Sequence, residues 1–250
     1  AEWLPIKPKT DAAFLFALIH RILVERSWRE VCDVPFIAND TTSPYLVGPN
    51  GYYLRDPESR KPLIYDLADG LAKPFDAEIS EPALEGTYRV AGFEDGPDEM
   101  DWAYEAQVEV TPAFQRLRDH MAQFTPEWAE AQCDVPAERI RRIADEYLAH
   151  AMVGETIEIE GRTLPFRPVA VMLGKGVNNG WGGYQTCWAR TLLAALVGAL
   201  EVPGGTLGTA VKLNRPADNR QKTVRSSADG IMDYPFNPPS REAWSAEPHI

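Results

Sequence analysis

The sequence is poor in the residue patterns that most often carry chemistry. Its 250 residues include three cysteines, Cys32, Cys133 and Cys187, far apart and with no Cys-x-x-Cys pair. That spacing excludes a zinc or iron–sulfur site built from this chain alone and reads as three reduced, semi-buried thiols. The four histidines, His20, His120, His150 and His249, are dispersed, so none sits beside a partner as a catalytic base. Carboxylates are plentiful but show no paired, apolar setting that would mark a general acid. No apolar run approaches the roughly 20 residues a membrane span needs, and Leu192–Leu200 reads as a buried helix. Cations are the scarcer charge: 25 Lys and Arg against 37 Asp and Glu leave a net charge of -12. That balance excludes nucleic acid as a partner but leaves room for one local basic pocket. No signal peptide is visible, and the abrupt opening Ala1-Glu2-Trp3-Leu4-Pro5 reads as an excerpt from something longer.

What is present suffices for a globular fold of one large domain or two small ones, since 44% of the residues are hydrophobic. Phe14, Leu15, Leu18, Ile19, Ile22 and Leu23 recur at helical spacing and predict an amphipathic helix of about four turns. Thr10 reads as its N-cap and Asp11 as an acid at the positive end of its dipole. The basic, proline-bearing stretch Pro5-Ile6-Lys7-Pro8-Lys9 leads into it. Residues 48–105 change character, with short β-leaning pieces between Gly, Pro, Asp and Glu, and read as hairpins and loops without a separate core. Thr125-Pro126-Glu127 starts a helix, and a second from Pro136 places Ile140, Ile143, Ala144, Tyr147 and Leu148 on one face. Arg139, Arg141 and Arg142 on the other face are a solvated side or an anion site. Ile157–Pro165 reads as a hairpin turning at Glu160-Gly161-Arg162.

The segment with the strongest functional signal follows. Pro168–Leu173 reads as a buried strand of a parallel sheet. It runs into a loop with five glycines in ten residues: Gly174, Gly176, Gly180, Gly182 and Gly183. The apolar run Thr186–Leu200 predicts a helix, stopped at Glu201-Val202-Pro203-Gly204-Gly205. Strand, glycine loop and helix together bring backbone N–H groups up to a phosphate, and Lys175, Asn178, Asn179 and Gln185 add side-chain donors. The loop is neither the phosphate loop GxxxxGK[ST] nor the dinucleotide GxGxxG, because the residue three beyond Gly176 is Asn179. Helices alternating with short strands predict an α/β, Rossmann-like layered fold with a mostly parallel sheet, ligands binding at the strands' carboxyl ends. Asp11 has two readings: a helix-terminal carboxylate worth about 0.3–1 kcal/mol, or an acceptor for the paired N–H groups on a guanine edge.

Taken in order, several segments resemble the molybdopterin oxidoreductases of the dimethyl sulfoxide reductase type. Leu4–Ala13 is similar to that family's PIRPGTDAAL stretch. Trp28, Pro35-Phe36-Ile37 and Thr41–Val47 continue its pattern. Phe124–Ala129 with Val135–Ile140 is similar to its YTPEWAAEITGVPAETI stretch, and Gly174–Asn179 with Leu193–Gly205 to its glycine loop, helix and LTGNIGRPGG ending. Lys9 stands where the family commonly has glycine.

The resemblance implies a cofactor-binding portion of a larger catalytic subunit, inactive alone. Its cofactor would be molybdenum, or tungsten, held by two molybdopterin guanine dinucleotides. The parent reaction would be two-electron redox or oxygen-atom transfer, with electrons passing to iron–sulfur centres in a preceding region or a partner subunit. Asp11 would meet the guanine edge, with Lys9 and Thr10 in the same loop. Gly174, Lys175, Gly176, Asn178, Asn179 and Gln185 would line the pyrophosphate and ribose path. The implied organisation is a binding domain at 1–47 and 106–212, an insertion at 48–105 and a loop-rich tail at 213–250 that leads to a further C-terminal region. The tail's Leu213–Pro216 and Tyr234–Pro238 read as surface loops. The implied partners are the rest of the catalytic polypeptide and an iron–sulfur electron-transfer subunit, in a prokaryotic cytoplasm or periplasm. Two rivals remain: an NAD-dependent Rossmann dehydrogenase, which needs an acid about 20 residues past the loop where Glu201 is only roughly placed, and a non-catalytic assembly module.

Overall fold

A computed structural model of the chain describes residues 2–94, 103–174, 177, 182–206, 225–226 and 232–233. The elements begin with α1 (Asp11–His20), α2 (Trp28–Val31) and α3 (Val34–Asn39). Six strands follow: β1 (Leu46–Val47), β2 (Leu54–Arg55), β3 (Leu63–Asp66), β4 (Leu71–Pro74), β5 (Tyr88–Glu94) and β6 (Ala103–Pro112). Then come α4 (Ala113–Met121), α5 (Pro126–Cys133), α6 (Ala137–Ala151), β7 (Thr156–Ile159), β8 (Arg162–Pro165) and α7 (Gly183–Leu196), with β9 (Arg225–Ser226) and β10 (Met232–Asp233) last. The chain divides into two compact units: Ala1–Pro44 with Pro82–Thr87 and Thr111–Thr209, and Tyr45–Glu81 with Tyr88–Val110 and Ala210–Ile250.

The first unit is built around α1. Ala17, Leu18, Ile19 and His20 are all buried, so the helix is enclosed on most sides and is not the one-faced surface helix its spacing suggested. It ends sooner than expected, because Arg21–Glu25 widens into a π-turn closed by Arg26 N donating to Arg21 O at 3.0 Å. The core it joins holds Ile22, Leu23, Ile37, Phe114, Met121, Ile140, Leu193 and Leu196. Thr125 caps α5 as expected, its hydroxyl accepting from Trp128 N at 3.1 Å. The hairpin β7–β8 turns at Glu160 and Gly161, both with positive φ, the geometry of a type I′ turn.

One buried guanidinium ties the far end of this unit together. Arg167 is 4% exposed and donates to the carbonyls of Met152, Glu155, Phe166 and Val197 and to the Asp33 carboxylate at 2.8 Å. Asp33 also accepts from Phe36 N, capping α3. α7 stops just here, short of the expected Leu200, because Gly198 takes φ +65. A Cβ at Gly198 would lie 2.4 Å from Asp33 Oδ2. The glycines thought to stop the helix serve a close approach instead, since a Cβ on Gly204 would lie 2.8 Å from Pro168 Cα.

The second unit was expected to lack a core and has a small one. Leu46, Leu54, Leu63, Val108 and Val110 are buried together, because the inward residues of short paired strands meet. Its main sheet has the order β1-β6-β5-β2, with β3 and β4 forming a separate pair. Its tyrosines pack: Tyr65 stacks on Tyr88 at 3.8 Å, and Tyr45 meets Tyr53 and Phe75. Asp66 is fully buried and accepts from Ala68 N, Ser80 N, Glu81 N and Lys73 Nζ. Lys73 and these backbone donors hold its carboxyl well below the usual range, against its burial.

The predicted parallel, Rossmann-like sheet is not seen among the described residues. The structure mixes helices with sheets: the pairs β2–β5, β5–β6, β3–β4, β7–β8 and β9–β10 are all antiparallel, and the isolated bridge Leu200–Thr206 is parallel. Residues 168–173 form no strand, and their side chains alternate in burial instead of being enclosed. A parallel strand needs a neighbour supplied through a crossover, and these residues supply none.

This packing makes stability depend on acid and on Gly198. Glu25 accepts from Arg141 and Arg21, and those contacts hold its carboxyl below the usual range despite partial burial. Burial would raise Asp145, but Arg21 and Arg26 outweigh it and lower it. A depressed folded-state pKa gives stability that is present above the unfolded value of about 4.3 and is lost as pH falls through the folded one. Urea unfolding between about pH 5 and pH 2 should therefore show a fall in stability that flattens in Glu25→Gln. Gly198→Ala should cost at least about 2 kcal/mol in the same assay, through left-handed backbone strain and the collision with a carboxylate that Arg167 holds in place.

Candidate functional site

The loop before α1 is pinned at one point and open at another. Lys7 N donates to Cys133 O at 3.0 Å, fixing the loop to the end of α5. Thr10 does not cap the helix as its position suggested; its hydroxyl donates to Lys7 O at 2.6 Å. The helical ladder begins with Ala13 N and Phe14 N on Thr10 O. The amides of Asp11 and Ala12 thus have no hydrogen-bond partner among the described residues, and neither does the half-buried Asp11 carboxylate. Open amides at a helix start carry the positive end of its dipole.

The charges around this opening are unbalanced. In a chain with excess acid, most bases face a carboxylate: Arg21 and Arg26 meet Asp145, Arg141 meets Glu25 and Glu127, and Arg142 meets Glu146. Glu2 takes Arg139 and Arg142, holding its carboxyl below the usual range, so the arginines of α6 are internally paired and form no free anion site. Lys7 and Lys9 are exposed, and no carboxylate among the described residues pairs with either. Lys9 also stands in the left-handed region at φ 67. A lysine therefore keeps the backbone conformation that glycine adopts freely.

The second predicted site is only partly described. Lys175, Gly176, Asn178 and Asn179 lie outside the described residues, as do the tail segments at 213–216 and 234–238. Gly174 is exposed, with open space where a Cβ would stand. At the far end of the loop, Gly182 takes φ +79 and starts α7, and its carbonyl accepts from Thr186 N and Thr186 Oγ1 at 2.9 and 2.8 Å. Gln185 lies half-buried in the first turn of α7.

One contact relates the two helix starts. Phe16 meets the Trp188 ring edge-on at 6.4 Å between centroids. Phe16 follows Asp11 by five residues and Trp188 follows Gly183 by five, so each start lies about 7–8 Å along its axis from that contact. Phe124 and Trp128 extend the aromatic surface, with Phe16–Phe124 and Phe124–Trp128 both at 5.0 Å. Sequence reasoning missed this aromatic seam, because its members sit on α1, α5, α7 and the turn before α5, far apart in the chain.

Other candidates have structural roles. His20 is buried with Nδ1 2.9 Å from Met121 O, so that nitrogen donates. Burial, with Asp33 adding to it, pushes the Cys32 thiol up to about 12, and burial also raises Cys133, so neither is a ready nucleophile. No group of three or more metal-ligating side chains occurs among the described residues. What the site offers is open amides, two unpaired ammonium groups and one acceptor carboxylate, a donor set that fits an anionic, nucleotide-like ligand and not a bare metal ion.

Comparison with known proteins gives three relatives and no matching family profile. A sulfite dehydrogenase subunit of Allochromatium vinosum is 29% identical over 82% of this chain and 22% of its own length. The alpha subunit of dimethylsulfide dehydrogenase from Rhodovulum sulfidophilum is 24% identical over 93% of this chain and 24% of its own length. The alpha subunit of perchlorate reductase from Dechloromonas aromatica is 25% identical over 82% and 23%. The chain spans less than a quarter of the length of each.

The conformation of Lys9 gives a prediction. Lys9→Gly should leave stability unchanged or raise it by up to about 1 kcal/mol, because left-handed strain is removed at the cost of a looser unfolded chain. Lys9→Val, β-branched in the same conformation, should lower the thermal midpoint.

Proposed function

We propose that the chain is a segment of a molybdopterin oxidoreductase catalytic subunit of the dimethyl sulfoxide reductase type and that it holds the guanine dinucleotide part of the cofactor. The observation that carries this is the opening at α1, where the amides of Asp11 and Ala12, the Asp11 carboxylate and two unpaired lysines coincide. In this reading the Asp11 carboxylate accepts the two N–H groups of a guanine edge, which few other bases present together. The loop at Lys9 and Thr10 borders the same base. The α1 dipole and the ammonium groups of Lys7 and Lys9 favour an anion there. Gly174, Lys175, Gly176, Asn178, Asn179 and Gln185 line the path of the pyrophosphate and ribose. The contact of Phe16 with Trp188 supports this two-loop grip, because it keeps both helix starts within two turns of one point.

When bound, the cofactor supplies two-electron redox or oxygen-atom transfer at molybdenum, or tungsten, carried on two such dinucleotides. The residues of this chain bind and orient it. In this reading the site's described residues contribute no metal ligand. The parent enzyme, in this reading, passes electrons to iron–sulfur centres in another region or subunit, and the rest of the catalytic polypeptide is its first partner. The relatives' names mark them as subunits, which supports further partner chains. No helix among the described residues is long and apolar enough to cross a membrane.

The test is the composition of the full-length protein. Molybdenum or tungsten with two guanine nucleotides per metal, released by acid, is expected; neither group in a fully loaded preparation would refute the reading. Asp11→Ala should lower metal and guanine content together by several-fold while costing at most about 1 kcal/mol of stability. Unchanged content with the same small stability loss would reduce Asp11 to a helix-terminal charge.

A further inference from the structure

Two arginines tie the chain that enters the glycine loop to the helix that leaves it. Arg167, at the start of the entering segment, donates from Nε to Val197 O at 3.0 Å, just past the end of α7. Two turns nearer the loop, Arg190 of α7 donates from Nε to Val171 O at 2.8 Å. Between the two ties Val169 packs with Ala194 and Val197, so the segment climbs α7 toward its start. Long side chains on a helix lean toward its N-terminus, which carries the Arg190 guanidinium in the same direction. The second tie lies at a similar distance from both ends of the loop. Gly174, three residues beyond Val171, lies at most about 11 Å from it. Gly183 starts α7 seven residues before Arg190, about 10 Å back along the axis.

Arg190 also differs from Arg21, Arg141, Arg142 and Arg167, which each face a carboxylate. Among the described residues no carboxylate pairs with Arg190, and the bond it makes is to a backbone carbonyl. α7 does not need that bond to begin, because Thr186 N and Oγ1 both donate to Gly182 O and close its first turn. The bond therefore serves the chain before the loop. The loop has five glycines in ten residues, and glycine loses the most conformational freedom when backbone is ordered around a ligand. Fixing the two ends beforehand removes part of that cost, which is how preorganisation raises affinity. We propose that Arg190 is a positioning residue: by tying Val171 to α7 it sets the opening of the glycine loop before an anionic ligand binds there. Its guanidinium acts through the loop and touches no ligand in this account. The choice of ligand rests on the cofactor reading above; the tie does not.

Amide hydrogen exchange in the full-length protein, with and without bound cofactor, tests it. Arg190→Met keeps the packing of the side-chain stem and removes the donor; Arg190→Lys keeps a cationic donor. In Arg190→Met without cofactor, amides within residues 172–186 should exchange at least about tenfold faster, as for a lost charge-assisted bond. Those of α1 and α6 should keep their rates. The loaded Arg190→Met protein should lose guanine nucleotide faster by a similar factor, and Arg190→Lys should recover part of both effects. Unchanged exchange in Arg190→Met would overturn the proposal. So would acceleration spread over α1 and α6, which would make Arg190 a general support of the core. Faster exchange with an unchanged rate of nucleotide loss would also overturn it, by separating the tie from the ligand. A full-length protein that never holds guanine nucleotide would refute the cofactor reading, while exchange in the cofactor-free protein would still uphold or overturn the tie.

Discussion

The pairing of Arg167 with Asp33 is the constraint on which the functional half of the first unit depends. A buried guanidinium is tolerable only when its fork is filled, and here four carbonyls and a carboxylate fill it. Those acceptors sit where α3 begins, where α6 and α7 end, and where the β7–β8 hairpin starts and closes. The cation therefore fixes four chain segments relative to one another. It also fixes the point from which residues 168–174 set out toward the glycine loop. Gly198 completes the arrangement by leaving the space Asp33 needs. The direction in which the glycine loop is delivered is thus set at the opposite end of α7 from the loop itself.

That arrangement could not be read from the sequence. Arg167 follows a hairpin and precedes a proline, a setting that suggests a solvated turn, and its acceptors are backbone groups that no residue type announces. The local features were legible because their causes are local. The Thr125-Pro126 start, the apolar face of α6 and the turn at Glu160-Gly161 each rest on residues within one or two turns of one another. The π-turn at Arg21–Glu25 and the enclosure of α1 depend on what surrounds the helix, and so were missed. The parallel sheet was inferred from an apolar run whose neighbouring strand these residues do not provide. The buried Asp66, with its ring of donors, gave no sequence signal because Ser80 and Glu81 contribute only backbone N–H groups.

The candidate site was legible in kind and not in geometry. The basic stretch before Asp11 identified the opening, yet Thr10 was assigned the wrong bond. Its hydroxyl turns back to Lys7, and that reversal leaves the Asp11 and Ala12 amides open. A capped helix start would hold a weaker claim as an anion site, because a cap answers the same donors that a ligand would use. The substitution at Lys9 works in the same direction. A glycine there would adopt the left-handed turn at less strain, but the lysine adds a charge with which no acid among the described residues pairs.

The open groups are not scattered. Residues 168–174 end at the glycine loop, α7 begins at its far side, and α7 meets α1 within two turns of both helix starts. Among the described residues, the free amides at α1 and the unpaired Lys7 and Lys9 combine donors with positive charge, which an anion answers. Elsewhere in the unit Arg21, Arg141, Arg142 and Arg167 already face carboxylates, which answer their charge. The α1 opening is where backbone donors and positive charge coincide with no acid paired to the lysines among the described residues, a deficit that a phosphorylated ligand would complete.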